Sequence, residues 1–538
     1  MGIYLNPGYG NFEETLRQKI YVDKTMMIAA VNEIMDHGNK YICISRPRRF
    51  GKTIASNMLN AYYSKGCDAM EMFAPLKIAK DPLFEEKLNK YNVIKIDMNS
   101  EYQNTRDKLL MLERLEDTIK KEIRDQFPTV EIGEMDSLAQ SMLHVFEKTG
   151  ETFIILMDEY DVLVREQVPK ALFDEYLSFL NGLFKSDTLR PAISLAYLTG
   201  ILPVVRDKVQ SKLNNFEEYT ILEAGELAEF VGFTSDEVSD ICDAHRVPFE
   251  ECRRWYNGYL LEKPSEGFDM AEPSFYEVYN PESVVKSVKK RKFGSYWGKT
   301  STYEVISDFV SRNFDGTKDA VIRMLAGEQA DVNVTGFLNT MTDFRTKDDV
   351  FTYLIHVGYL AYNSVKHTCR IPNREVRGEW LNAIAVMNDY RETDLIIKDS
   401  KELLAETLAG NEEAVAKALD RSHIHVTSNR SYNNEDALQS AIYLAYIFAL
   451  NKYTVTKEMT AGKGFSDVTF VPFVPDIPAM IIELKRNDSA ASAIDQIKEK
   501  QYYESMKHYQ GNLLFVGISY DEKEKMHSCK IERFEKTV

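Results

Sequence analysis

The chain has 538 residues, too many for one ordinary domain and enough for three or four. Its apolar fraction of 44% and charged fraction of 28% are those of a globular protein. A net charge of −17 excludes wholesale coating of nucleic acid, which needs an excess of Lys and Arg. A local basic groove, or a nucleic-acid site built on metal-holding carboxylates, remains compatible with that charge.

The six cysteines, Cys43, Cys67, Cys242, Cys252, Cys369 and Cys529, form no CxxC pair, and the nine histidines form no HExxH, so neither a zinc ribbon nor a disulfide framework is expected. Reduced thiols point to a cytoplasmic protein. "MGIYLNPGYG" at the N-terminus lacks the basic and apolar regions of a signal peptide. The apolar segment 441–450, "AIYLAYIFAL", is about half the length a bilayer requires and reads as a buried core helix.

In chain order, the first half alternates short apolar runs with helical patterns. "KYICIS" (40–45), "NVIKIDM" (92–98), "TFIILMD" (152–158) and "ISLAYLTG" (193–200) are expected buried strands. The stretches 104–125 and 167–187 between them are expected helices. That alternation predicts an α/β parallel sheet. After about 225 the texture changes to short helices and turns, "DEVSDICDAHRV" and "ECRRWYNGY", and 300–395 is mostly helical, with a late strand-like "YLIHVGYLAYN". A last α/β unit begins at 399: polar helices to 421, a helix at 435–450, strands at 465–473, 479–485 and 512–518, and a helix at 490–506. The expected division is 1–225, a lid at 226–300, a helical connection at 301–398, and 399–538.

The first chemical signal is "SRPRRFGKT" (45–53), between an expected strand and the expected helix "TIASNMLNAYY". It ends as a phosphate-binding loop does, because backbone N–H groups at a helix N-terminus surround phosphate oxygens. Lys52 would reach the β- and γ-phosphates of ATP, and the Thr53 hydroxyl would bind Mg²⁺. The general pattern has glycine at position 46, where this chain has Arg46. Arg46, Arg48, Arg49, Phe50 and Gly51 are candidate nucleotide-binding residues with Lys52 and Thr53, and Pro47 fixes one backbone angle; the three arginines either contact the nucleotide or tie the loop to another domain. A basic helix cap is the plain alternative.

A second signal, "FIILMDEYD" (153–161), is an apolar strand ending in carboxylates. Asp158 would hold Mg²⁺ and Glu159 would polarise the attacking water. Both signals fall at strand C-termini, where open parallel sheets bind ligands. Thr199 ends a third strand, where a polar residue could sense the γ-phosphate; a simple strand-end turn explains it equally well. Arg206, Arg253 and Arg254 are candidates for a trans-acting arginine in a homo-oligomer; a surface residue is the plainer reading of each.

The third signal is 462–486, "GKGFSDVTFVPFVPDIPAMIIELKR", read as a hairpin turning at 475. Asp467 and Glu483 then face each other across the ladder, and Lys485 lies on the same strand face as Glu483. Carboxylates at that range repel unless a cation lies between them, and Mg²⁺ fits oxygen ligands. Lys485 could orient or help deprotonate a metal-bound water for attack on a phosphodiester. Glu435, at the start of the upstream helix, and Gln496, on the downstream helix, could complete the patch; a helix N-terminal charge explains Glu435 equally well, and a solvated helix face is the plain alternative for Gln496. An amphipathic hairpin with a surface ion pair is the plain alternative.

Taken together, "GIYLNPG", "IYVDKT", "SRPRRFGKT", "MDEYD", "LTGILP", "LNNFEEYT", "RWYNGY", "VYNPESVV", "HVGYLAYN", "NNEDALQSAIYLAY", "AGKGFSDVTF" and "IIELK" resemble a family of bacterial proteins. Its members have an N-terminal AAA-like ATPase domain and a C-terminal PD-(D/E)XK nuclease-like domain. In that family Arg stands at the position of Arg46. The resemblance implies ATP and Mg²⁺ at Gly51, Lys52, Thr53, Asp158 and Glu159. It implies a nuclease triad of Asp467, Glu483 and Lys485, with Glu435 and Gln496 accessory, and a nucleic-acid partner, DNA over RNA. The expected function is ATP-regulated, Mg²⁺-dependent cleavage; the alternative is a nucleotide-dependent switch or scaffold that binds without cutting.

Overall fold

The computed structural model describes residues 2–264, 273–297, 306, 314–337, 344–386, 391–426, 438, 441–501 and 511–534, except 167, 205, 208, 209, 212, 214, 326, 444, 462, 463, 475 and 476. They form two compact units: 1–299 with 314–317 and 329–376, and 300–313 with 318–328 and 377–538. Among the described residues no helix is long and apolar enough to cross a membrane.

The first unit is built on five parallel strands: β1 (Tyr41–Ser45), β2 (Asn92–Asp97), β3 (Phe153–Asp158), β4 (Ile193–Gly200) and β5 (Glu217–Tyr219). Their order is β2-β3-β4-β1-β5. The continuous apolar runs are explained by burial on both faces, as a parallel sheet requires; every residue of β1 and β3 is buried. The expected strands are all present. The expected helices at 104–125 and 167–187 are Met111–Gln126 and Lys170–Phe184. Local signals fix several boundaries. The helix Leu138–Thr149 opens with a Ser137/Gln140 capping box and ends at left-handed Gly150.

Register places the chemistry. β4 lies between β1 and β3, with Ser45 opposite Gly200 and Met157 opposite Leu198. The ends of the phosphate-loop strand, the Thr199 strand and the acidic strand therefore share one edge of the sheet. Gly200 lets these ends come together: a Cβ there would lie 2.7 Å from the Tyr160 ring and 2.9 Å from Asp161 Oδ1.

A smaller layer follows in the same unit. Phe233–Thr234, Tyr259–Glu262 and Phe275–Tyr279 pair antiparallel beside the helices Ser235–His245, Phe249–Tyr256 and Pro281–Lys290. Val238, Cys242, Cys252, Tyr256, Tyr279 and Val284 make their core. The strand-like "YLIHVGYLAYN" is corrected: Lys347–His356 is a helix opened by a Thr346/Asp349 capping box, and only Ala361–Asn363 is extended. Val350–His356 are all buried, so the apolar run that looked like a strand is the end of a core helix.

The second unit carries the helices Arg391–Ala409 and Glu412–Val426 and a five-stranded sheet. Its strands, in spatial order, are β6 (Tyr453–Ala461), β7 (Gly464–Pro472), β8 (Ala479–Arg486), β9 (Leu513–Asp521) and β10 (Met526–Phe534). β8 and β9 are parallel and the other pairs antiparallel. Two of these strands were not expected. β6 and β10 are long and polar, with charges that hide the apolar alternation. The helix α1 (Ala490–Glu499) joins β8 to β9 and packs Ile494 and Ile497 on Ile481 and Phe515.

Gly200→Ala should destabilise the first unit by ~1–3 kcal/mol through overpacking against Tyr160 and Asp161. Equilibrium urea unfolding should show a lower midpoint with an unchanged slope.

Candidate functional site

At the first site β1 runs into the loop 46–51 and the helix Lys52–Tyr63. Gly51, at φ 93°, turns the chain through the left-handed region into that helix. Lys52 is 6% exposed. Its Nζ donates to the carbonyls of Arg46 and Pro47, each at 2.9 Å. Burial lowers its pKa to about 8, against the opposing pull of Asp158, Glu159 and Asp161. Thr53 is exposed on the first turn of the same helix.

The three arginines of the loop have different fates. Arg46 is 1% exposed, and its Nη1 donates to the carbonyls of Ser45 (2.9 Å) and Tyr219 (2.8 Å). It therefore ties β1 to β5, while its Nε and Nη2 have no partner among the described residues. Arg49 stands at φ 68°, pairs with Glu282 at 3.3 Å and donates to the Tyr296 carbonyl. Arg48 is exposed, and its carbonyl accepts from Asn280 at 3.3 Å. Phe50 packs edge-on against Tyr259, centroids 5.3 Å apart.

Asp158 is buried at the end of β3 and accepts hydrogen bonds from the Thr199 hydroxyl and, at 3.2 Å, from the Glu159 amide. Glu159 has φ 50°, a left-handed conformation that is uncommon for a non-glycine residue. Its Oε2 accepts from Arg165 Nη2 at 2.7 Å.

Sequence reasoning passed over two residues here. Asp161 is fully buried, and its Oδ2 accepts from the amides of Ile201 (3.0 Å) and Leu202 (2.9 Å) and from Arg165 Nε (3.1 Å). It clamps the end of β3 to the turn after β4. The i,i+4 spacing of Asp161 and Arg165 in "DVLVR" was the available signal. Glu375, also buried, accepts from Ser283 Oγ (3.0 Å) and the amides of Tyr296 (2.5 Å) and Trp297 (2.9 Å). Partners so distant in sequence leave no local pattern.

At the second site, Val468 pairs with Ile482, Thr469 with Ile481 and Phe470 with Met480. Extending that register by one step sets Asp467 opposite Glu483. Asp467 Oδ2 accepts from the Leu484 amide at 2.7 Å. Glu483 is 2% exposed. Gln496 on α1 donates to Glu483 Oε1 and accepts from Lys485 Nζ, which lies 3.7 Å from the same Glu483 oxygen. Glu483 Oε2 is buried with no partner among the described residues. Burial, then Asp467, raises the Glu483 pKa to about 8, with Lys485 opposing. Glu435 lies outside the described residues.

The donor sets differ in what they could hold. An orphaned carboxylate oxygen beside a second carboxylate fits a divalent cation between Asp467 and Glu483. At the first site an exposed hydroxyl, Thr53, and a carboxylate, Asp158, are the oxygen donors. Among the described residues no cluster of three or more His, Cys, Asp and Glu is gathered as a metal cage.

Residues 7–210 match a family model described as a predicted AAA-ATPase, and residues 433–529 match the PD-(D/E)XK nuclease superfamily. The chain thus carries an AAA-ATPase-like domain and a PD-(D/E)XK nuclease superfamily domain, on a five-stranded parallel sheet and a mixed α/β sheet respectively. An uncharacterized protein in the vnfD 5' region of Azotobacter chroococcum mcd 1 is 22% identical over 93% of this chain and 92% of that protein. Among solved structures, the Walker-type ATPase PABY2304 of Pyrococcus abyssi is similar at 13% identity and a TM-score of 0.33, over 68% of this chain and 97% of that one. The Aeropyrum pernix ORC1 protein in complex with DNA is similar at 11% identity and a TM-score of 0.20, over 84% and 88%.

The raised pKa of Glu483 has a signed consequence. Its stabilising contribution is complete below the usual carboxylate value of 4.5 and is lost as pH rises through about 8, because ionisation costs more in the folded state than in the unfolded one. Glu483→Gln should remove that loss and gain on the order of a few kcal/mol over wild type near pH 9. Urea unfolding of both proteins at pH 5 and pH 9 checks it: the two should differ far more at the higher pH.

Proposed function

We propose that this chain, an AAA-ATPase-like domain joined to a PD-(D/E)XK nuclease superfamily domain, hydrolyses ATP and cleaves nucleic acid, with the nucleotide state regulating cleavage. The observation that carries the reading is the second site: a buried carboxylate with an orphaned oxygen, held beside Asp467, Lys485 and Gln496. A structural ion pair would satisfy both carboxylate oxygens of Glu483.

In ATP hydrolysis a water oxygen bonds to the γ-phosphorus as the bond to the β–γ bridging oxygen breaks. ADP departs with that electron pair, and the water's proton passes to Glu159. Lys52 exchanges its two loop carbonyls for phosphate oxygens, and its charge stabilises the departing group. Asp161 keeps β3 and the turn after β4 in fixed relation, so that Asp158, Glu159 and Thr199 hold their places. In phosphodiester cleavage Lys485, positioned by Gln496, orients the attacking water. Magnesium, when bound, would supply charge neutralisation, held by Thr53 and Asp158 at the first site and by Asp467 and Glu483 at the second. Glu435 is proposed to support the second site. A cytoplasmic setting and a DNA substrate are part of the same reading.

The alternative is a nucleotide-dependent switch that binds nucleic acid or protein without cutting, favoured by the net charge of −17. Purified protein incubated with single- and double-stranded DNA and RNA, with Mg²⁺ or Mn²⁺, should cleave at least one substrate. Glu483→Ala should abolish cleavage while leaving the fold and ATP binding intact. Absence of cleavage in every combination while ATP is hydrolysed would favour the switch.

Because Glu483 carries a proton at neutral pH, metal binding at the second site must release it. Calorimetric titration of Mn²⁺ at pH 7 in buffers of different ionisation enthalpy should reveal close to one proton released per metal, and none from that site in Glu483→Gln.

A further inference from the structure

We infer that the cavity where β1 and β5 begin is a second ligand site, built for a small hydroxylated phosphate ester, the chemical class of a sugar phosphate. The inference is independent of the hydrolysis reading, because this cavity lies at the opposite edge of the sheet from Lys52.

β1 and β5 run parallel, with Ile42 opposite Glu217 and Ile44 opposite Tyr219. Their C-terminal ends carry the phosphate loop and the Arg46 tie to Tyr219. Their N-terminal ends, with the turn Arg190–Ala192 that leads into β4, border a cavity of about 390 Å³. Lys40, Tyr41, Arg190, Asn215, Phe216 and Glu217 line it. That volume is in the range of small-ligand pockets.

The lining has hydrogen-bonding capacity that the described residues do not use. Tyr41 is 3% exposed, yet its hydroxyl has no partner among the described residues. A buried hydroxyl left unpaired is costly, so it marks a missing partner. Asn215 Nδ2 donates to the Phe184 carbonyl at 2.6 Å. That contact fixes the amide and leaves its buried Oδ1 without a donor among the described residues.

Two cations stand beside these groups. The Lys40 ammonium donates to the carbonyls of Arg190 and Ile193, each at 2.6 Å, and pairs with no carboxylate among the described residues. The Arg190 guanidinium lies 5.3 Å from the centroid of the Tyr41 ring, and it too lacks a carboxylate partner among the described residues. Burial, then the Arg190 charge, lowers the Lys40 pKa. An anion in the cavity relieves that repulsion.

The same groups select the ligand. Arg190 offers a fork of N–H donors, Lys40 a hydrogen beyond those it already uses, and the Tyr41 hydroxyl its own. Separate donors on three side chains suit the terminal oxygens of a phosphate monoester better than the smaller set on a carboxylate. Asn215 Oδ1 and the Glu217 carboxylate are acceptors, and they match hydroxyls on the rest of the ligand. A nucleobase finds no free aromatic surface on Tyr41. That ring is already covered by Arg190, by Phe216 stacked at 5.4 Å and by Phe184 edge-on at 6.0 Å.

Isothermal titration calorimetry on the full chain tests the site. The probes are ribose 5-phosphate, glycerol 3-phosphate and glucose 6-phosphate, with inorganic phosphate and ribose as controls. At least one ester should bind wild type and Lys52→Ala with affinities within about twofold, because the phosphate loop is not involved. The lining variants are then made in the Lys52→Ala chain, where the phosphate loop contributes nothing. There the ester should bind on the order of tenfold tighter than inorganic phosphate or ribose, since neither control fills both the donor and the acceptor groups. Arg190→Gln, at an exposed position that leaves the core untouched, should weaken the ester on the order of tenfold, the loss of a charge-assisted bond. Tyr41→Phe should weaken it by roughly threefold to tenfold, the loss of a neutral hydrogen bond. Asn215→Ala should weaken the ester while leaving inorganic phosphate within about twofold, a split that misfolding would not produce. Failure of all three esters to bind overturns the inference, as does ester binding that disappears in Lys52→Ala. So does ester binding unchanged by Arg190→Gln, or inorganic phosphate bound as tightly as the esters.

Discussion

The structure of the first unit depends on the parallel pairing of β4 between β1 and β3. Parallel strands bring their C-terminal ends, and whatever side chains stand there, to one edge. Here that edge gathers Lys52, Asp158, Asp161 and Thr199 into a region where burial makes an unpaired charge costly. Each group is consequently tied to a neighbour: Lys52 to two carbonyls of its own loop, Asp158 to Thr199, and Asp161 to the amides after β4. Asp161 is the member that ties the end of β3 to the turn after β4. It joins two strands through backbone groups that cannot be substituted away.

The second unit solves a similar problem with less. Glu483 sits on the central strand, where the sheet and α1 exclude water; Gln496 donates to it, Lys485 makes a long contact and the Asp467 backbone also favours its ionised form, yet burial outweighs them. That is too little for an ionised carboxylate, so it holds its proton up to about pH 8. A site that keeps its carboxylate neutral in isolation, with a second carboxylate adjacent, is poised to exchange the proton for a cation.

Much of this was legible in the sequence. The apolar runs gave the parallel strands because both faces of that sheet are covered, and the symmetry of Asp467 and Glu483 about residue 475 agrees with the observed pairing of Val468 with Ile482. What was not legible depends on distant partners. The sequence places Arg46 beside Lys52 but does not show that its Nη1 donates to the carbonyl of Tyr219, a strand neighbour far along the chain. Arg49 likewise reaches Glu282 and Tyr296. Glu375 carries no motif, because its donors Ser283, Tyr296 and Trp297 lie about 80 to 90 residues earlier in the chain. The polar strands β6 and β10 escaped for a related reason: their pairing is fixed by the sheet more than by their own residues. The helix Lys347–His356 was mistaken for a strand because burial all round erases helical periodicity.

The central claim is that the nucleotide state of the first domain governs cleavage by the second. The most direct measurement is the rate of nucleic-acid cleavage by the full chain in Mg²⁺, with and without ATP, for wild type and Lys52→Ala. The account predicts a wild-type rate that changes when ATP is added, and a Lys52→Ala rate that does not respond. Cleavage by wild type at the same rate with and without ATP, under conditions where ATP is bound, would contradict it.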